Sequence, residues 1–356
     1  MEEEPKANSK HTLCGYAWGD VSSSLQRTIG IGDMGRAQRW AAELICSDQG
    51  LGRLEAILFH TWAIHVGANM PSWCKQWLHT IQQLRNLWVK CGEDIKAMRN
   101  TPLVRQIVAE SVAMLVLSTK HHFPTIPTSN DIFREAETMK AKIRAGAAVE
   151  DQMVTRNVWT NELDGEDLKT IGNEIESAIK TNKTPQTLFW IVWLFTLELQ
   201  EKPPIAKERG PSNLSVKHRK SIVWFLVAVL HGIANEANYL PTDDREGIFQ
   251  VLGMTWMKLG SKGRRDCIVT IALSIQDHIH KKTSISLTAP IKQPDIESIR
   301  VVSSIIDPIY AGIAEEARRF VAESPKLAGL KNEIVQPVPK LSATDKLSLS
   351  YSLIRQ

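Results

Sequence analysis

The chain has 356 residues, 43% hydrophobic and 23% charged, a balance that suits globular domains and offers enough length for two separate cores. Its net charge of +4 admits acidic partners without demanding one. Five cysteines with no CxxC spacing predict neither a disulfide framework nor a thiolate zinc site, which fits a reducing cytoplasmic or nuclear compartment.

The opening MEEEPKANSK is polar and acidic, unlike a secretory signal, and residues 1–15 read as an arm. From Asp20 to Gly67 the spacing predicts three short helices. Asp20 and Asp33 stand as N-caps, and Gly30, Gly32, Gly50, Gly52 and Gly67 mark the turns. Helices follow from Pro71 to Trp88 and from Leu103 to Ser118. After Pro124 and Pro127, a basic helix is expected from Asp131 to Arg144. Residues 16–145 thus form an N-terminal helical lobe, and 146–163, with weak periodicity, a connection. Asp164 with Asp167 should begin the next helix, and Thr184-Pro185 another, whose LFWIVWLFTLEL run is apolar on most sides and therefore buried.

A long polar loop around Pro203, Pro204, Gly210 and Pro211 follows, then a helix capped by Ser212 or Ser215 and running to Asn238. Further helices should start at Asp243 and near Ser261. An extended stretch is expected over 285–293, and a helix from Pro294 to about Ala322, broken or kinked at Pro308. Residues 164–325 make a C-terminal lobe and 326–356 a terminal arm. No stretch alternates with period two between hairpin turns, so the fold class is all-α, two helical lobes with flexible N-terminal and C-terminal arms. The longest apolar run, Thr187 to Leu199, is about half of what a bilayer span needs, so no membrane association is expected.

Reactive motifs are missing. The sequence holds no GxxxxGK[ST] loop, GxSxG elbow or HExxH. His121-His122 and His278 with His280 are read as helix-end side chains, and His60 with His65 as core or surface ones. No metal, cofactor or catalytic residue is assigned, and the reading is non-enzymatic.

Basic residues, in contrast, recur at the turns. Over residues 201–282 thirteen Lys and Arg stand against eight Asp and Glu. The candidates for nucleic-acid contact there are Lys207, Arg209, Lys217, Arg219, Lys220, Lys258, Lys262, Arg264, Arg265, Lys281 and Lys282. In the first half they are Arg99, Arg105, Arg134, Lys140, Lys142 and Arg144. Gathered in one cleft they would hold phosphates without reading bases. Of the eleven tryptophans, Trp40, Trp62, Trp77, Trp190, Trp193, Trp224 and Trp256 fall on apolar stripes and are assigned to the core. Trp18, Trp73 and Trp159 are the better stacking candidates.

Ser24-Leu25-Gln26, Ile29, Gly32-Asp33, Ala37, Trp40 to Leu44 and His65-Val66-Gly67 carry a resemblance, extended by Arg105 to Lys120. With these, residues 16–120 resemble the C-terminal helical collar of the RarA/MgsA group of clamp-loader-related ATPases. The family's ATP-binding module has no counterpart here. The resemblance implies a helical oligomer and association with DNA replication or repair, and implies no ATPase activity.

Three functions follow as expectations. The first is a self-assembling protein that coats single-stranded RNA, with DNA as an alternative strand. Its plan looks like that of a helical viral nucleoprotein, which would place it in a virion. Homo-oligomers would form by exchange of the terminal arm through Ile334, Val335, Val338, Leu341, Leu347, Leu349, Tyr351 and Leu353, and a polymerase or other replication protein would be a further partner. The second is a stand-alone collar-like subunit of a DNA replication complex. The third is a helical protein–protein adaptor.

Overall fold

The structure, a computed structural model, describes residues 11–47, 50–127, 152–200, 203–281, 299 and 302–323. Among them are fourteen α-helices, one 3₁₀ turn and no strand, so the chain is all-α. The helices are α1 (Trp18–Gly30), α2 (Met34–Cys46), α3 (Gly50–His65), α4 (Trp73–Lys90), α5 (Ile95–Asn100), α6 (Pro102–Leu117) and α7 (Met153–Val158). They continue as α8 (Glu166–Lys180), α9 (Thr184–Glu198), α10 (Val216–Arg219), α11 (Val223–Glu236), α12 (Thr242–Thr255), α13 (Ser261–Lys281) and α14 (Ser303–Glu323). No helix among the described residues is long and apolar enough to cross a membrane.

The chain divides into two compact units, and the division does not follow the expected lobes. Unit 1 draws on 1–55, 80–117 and 294–356, and unit 2 on 56–79 and 118–293. The expected boundary at 146–163 therefore falls inside unit 2. Helices α3 and α4 each carry residues of both units, and α14 returns to unit 1, so neither unit is one continuous stretch.

Unit 1 is organised on α2. Asp33 caps it, its carboxylate accepting the Arg36 amide at 3.0 Å, and Ala37, Ala41 and Ala42 let neighbours approach closely. Helices α1, α5, α6 and α14 all pack on it. The N-cap of α1 is Ala17, so Asp20 lies in the first turn instead, where a carboxylate complements the exposed amides. Segment 12–16 is fastened by the buried Glu43 carboxylate, which accepts the Cys14 amide at 2.9 Å, and by Glu316, which accepts from Tyr16 and pairs with Arg39. Helix α14 continues through Pro308, because a proline in the second turn removes a single interior hydrogen bond.

Unit 2 has α9 at its centre. Every residue from Thr187 to Phe195 is buried, and α8, α11 and α13 pack around it. Burying each large apolar side chain contributes about 1.5–3 kcal/mol, which fixes this run as core. The supposed connection contains α7, a helix too short to show periodicity. It sits against α8 and α11 at two glycines: a Cβ on Gly172 would stand 2.6 Å from Thr155, and one on Gly232 would stand 2.4 Å from Val154. The buried Glu176 caps α7, accepting the Val154 amide at 3.1 Å and the Thr155 amide at 2.7 Å. The predicted long helix after the polar loop is instead two, α10 and α11, separated at Lys220–Ile222, where the Ser221 hydroxyl bonds Glu198.

Candidate nucleic-acid interface

The polar loop is anchored by a buried ion pair. Asp164, expected to open a helix, is buried before α8 and accepts four hydrogen bonds. Arg209 reaches both its oxygens, one at 2.7 Å, and the amides of Lys207 and Thr160 donate at 2.8 and 2.9 Å. The same guanidinium donates to the Val158 carbonyl at 2.8 Å. Burial pushes the Asp164 carboxyl up, but the Arg209 charge and the two amides outweigh it and hold it below the ordinary carboxylate range.

From this anchor the loop meets α10. The amides of Arg209 and Gly210 both donate to the Arg219 carbonyl at 3.1 Å. Only glycine allows the approach, since a Cβ on Gly210 would lie 2.7 Å from the Arg219 Cα. Behind α10, Trp224 donates its indole N–H to the His218 carbonyl at 3.0 Å and packs on Trp256 at 4.5 Å between ring centroids. Arg264 lies over the Trp256 ring at 4.6 Å and donates to the Trp256 carbonyl at 3.0 Å. The two tryptophans, core by both sequence and structure, thereby draw α10 and the 256–260 turn that leads into α13 together in unit 2.

The cations on these segments divide by residue type. Arg209 is bound to Asp164, Arg219 to Glu208 and the Leu214 carbonyl, Arg264 to Trp256, and Arg265 to Asp266. Lys217, Lys220, Lys258 and Lys262 are exposed, and none of the four is in an ion pair among the described residues. Exposed Val216 and Met257 accompany them. The guanidinium forks on these segments are engaged within the fold, and the four ammonium groups are exposed.

No protein-family model, curated protein or solved structure matches the chain.

Lys207 shares the polar loop, and the other described candidates lie outside these segments. Arg99 and Arg105 belong to unit 1, 5% and 2% exposed. Arg99 donates to the Cys46 carbonyl at 3.2 Å, and Arg105 donates to the Arg99 carbonyl at 2.6 Å and lies 4.3 Å from the Tyr310 ring centroid. Both are interior groups, and their reading as phosphate contacts is set aside for that reason. Lys207 is exposed on the loop, and Lys281 is paired with Asp277 at 2.7 Å on the surface. Arg134, Lys140, Lys142, Arg144 and Lys282 lie outside the described residues, as do the arm positions Ile334, Val335, Val338, Leu341, Leu347, Leu349, Tyr351 and Leu353.

Of the proposed stacking tryptophans, Trp18 is buried beneath Arg53, and Trp73 is buried against Trp77 at 5.3 Å, so their positions near element boundaries did not expose them. Trp159 is half-buried under Lys169. His60 bonds the buried Asp266 at 3.1 Å and His280 the Ile179 carbonyl at 2.9 Å, both internal contacts. His121-His122 follow α6 in a segment without regular structure rather than ending a helix, with the His121 amide donating to the His65 carbonyl at 2.8 Å. Among the described residues no group of three His, Cys, Asp or Glu could hold a metal. Burial pushes the Cys46 thiol up to about 12 and holds those of Cys14, Cys74 and Cys267 above the ordinary range. These four are protonated small hydrophobes at neutral pH.

Proposed function

We propose that this protein is a non-enzymatic, self-assembling coat for single-stranded RNA, which it holds by the phosphate backbone. The observation that carries the reading is the group of four lysines, Lys217, Lys220, Lys258 and Lys262, on two segments that Trp224 and Trp256 draw together. Such a surface neutralises phosphates at fixed spacing and is indifferent to base identity. The neighbouring arginines support it by their internal bonds, which keep the surface shaped before a strand arrives.

The test is a titration of labelled 12-nucleotide RNA, DNA and duplex RNA against the full chain between 50 and 200 mM salt. The reading requires binding that is alike for unrelated sequences, favours single strands and falls steeply with salt. Sequence-dependent binding, or none at 50 mM salt, overturns it. Assembly is placed on the 326–356 arm, whose spaced apolar residues would seat on a neighbouring copy. Deleting residues 331–356 should convert oligomers to monomers by light scattering. Oligomers of unchanged mass would remove arm exchange from the reading.

A further inference from the structure

Beside the lysine surface, within unit 2, lies an open cleft of about 410 Å³. We infer that this cleft receives one unstacked base of the bound strand; the inference rests on the single-strand reading above.

The volume is at the lower end of small-molecule sites and suits a flat ring system. One wall is Phe249, half-buried, with the His231 ring edge-on at 4.8 Å. That imidazole is held from both ends, by Glu246 at 2.7 Å and by the Asn235 amide at 3.3 Å. The aromatic wall is therefore set in place before any ligand enters. Trp224 and Met254 contribute further apolar surface. At the rim stand Asn213 and Gln250, both exposed. A primary amide carries donors and an acceptor, so two of them satisfy the edge of any base without selecting one.

Charge decides between a base and a phosphate. The lining includes Arg209, but its guanidinium is bound to Asp164 and the Val158 carbonyl, 11% exposed. Among the described residues that line the cleft no free cation is offered, so a neutral aromatic group is preferred to an anion. Position decides the source of that group. The loop that lines the cleft at Arg209, Pro211 and Asn213 is the one bonded to the end of α10, which bears Lys217. Trp224 is shared between the cleft and the tryptophan pair under the lysine surface. A strand whose phosphates lie along these lysines has a base within reach of the aromatic wall. Stacking on such a wall is the recurrent device of single-strand binding, indifferent to sequence because every base has a π-face.

The test compares, on the unaltered full chain, a 12-nucleotide RNA with a strand of equal length and charge made of abasic residues. The expected result is roughly tenfold weaker binding of the abasic strand, with the salt slope unchanged. A second arm fills the cleft by Ala228→Trp, with folding checked by circular dichroism. This variant should weaken the normal strand to the level of the abasic one and leave abasic binding unaltered. Equal affinity of the unaltered protein for both strands overturns the base site and leaves the phosphate reading standing. Binding of neither strand overturns both. Should Ala228→Trp not fold, the strand comparison decides alone.

Discussion

Changing Lys217, Lys220, Lys258 and Lys262 together to glutamate is expected to lower single-stranded RNA affinity by about a hundredfold or more at 50 mM salt and to flatten its salt dependence. Each phosphate neutralised on a single strand contributes roughly −0.7 to the slope of log K against log salt, so four lost contacts should remove about three from that slope. The variant should fold normally, because no ion pair among the described residues uses these side chains and exposed substitutions usually change stability by under about 0.5 kcal/mol each. A matching melting curve with an unchanged salt slope would refute the interface. Two exposed lysines on other helices, Lys90 at the end of α4 and Lys183 at the start of α9, provide the control. Reversing them alters net charge without touching the surface, and should shift affinity through the general field alone.

The division between lysines and arginines explains what could be read from the sequence and what could not. Helix α9 was legible because its apolar run permits only burial, and α2 because Asp33 and the alanine spacing mark its start and its inner face. Asp20 was misplaced as a cap, since a carboxylate is favourable both at the N-cap and in the first turn, and composition cannot separate those positions. The basic turns were visible as clusters. Which cations are committed internally was not, because the partners are remote: Asp164 is 45 residues from Arg209. Only the fold tells Arg209, bound inside, from Lys217, presented outside. The same remoteness hid the discontinuous units, since the return of α14 to α2 leaves no local signature. Helix α7 was missed because six residues hold less than two turns, and its fastening to Glu176 spans more than twenty positions.

Asp164→Ala should be the most destabilising of the substitutions considered, by about 3–5 kcal/mol, because it strands the Arg209 guanidinium beside Val158 and leaves the Lys207 and Thr160 amides without their acceptor. The Asp164 side chain is fully buried, so solvent cannot take its place. For a unit of this size the loss corresponds to a melting temperature roughly 10 °C lower. Adding Arg209→Met should recover part of it, since the buried charge goes with its partner, and the double-mutant cycle would report the coupling. The pH dependence follows from the depressed folded-state acidity of this carboxyl. Its contribution is complete above the unfolded carboxylate value near about 4 and disappears as pH falls through the lower folded value. The stability gap between the unaltered chain and Asp164→Asn should accordingly close on acidification below about pH 4. A gap that stays constant with pH would show that the charge of Asp164 does not hold the loop. Because the Arg209 and Gly210 amides tie that loop to the Arg219 carbonyl, losing the anchor should also raise hydrogen exchange in α10 and weaken RNA binding, with the four lysines still in place.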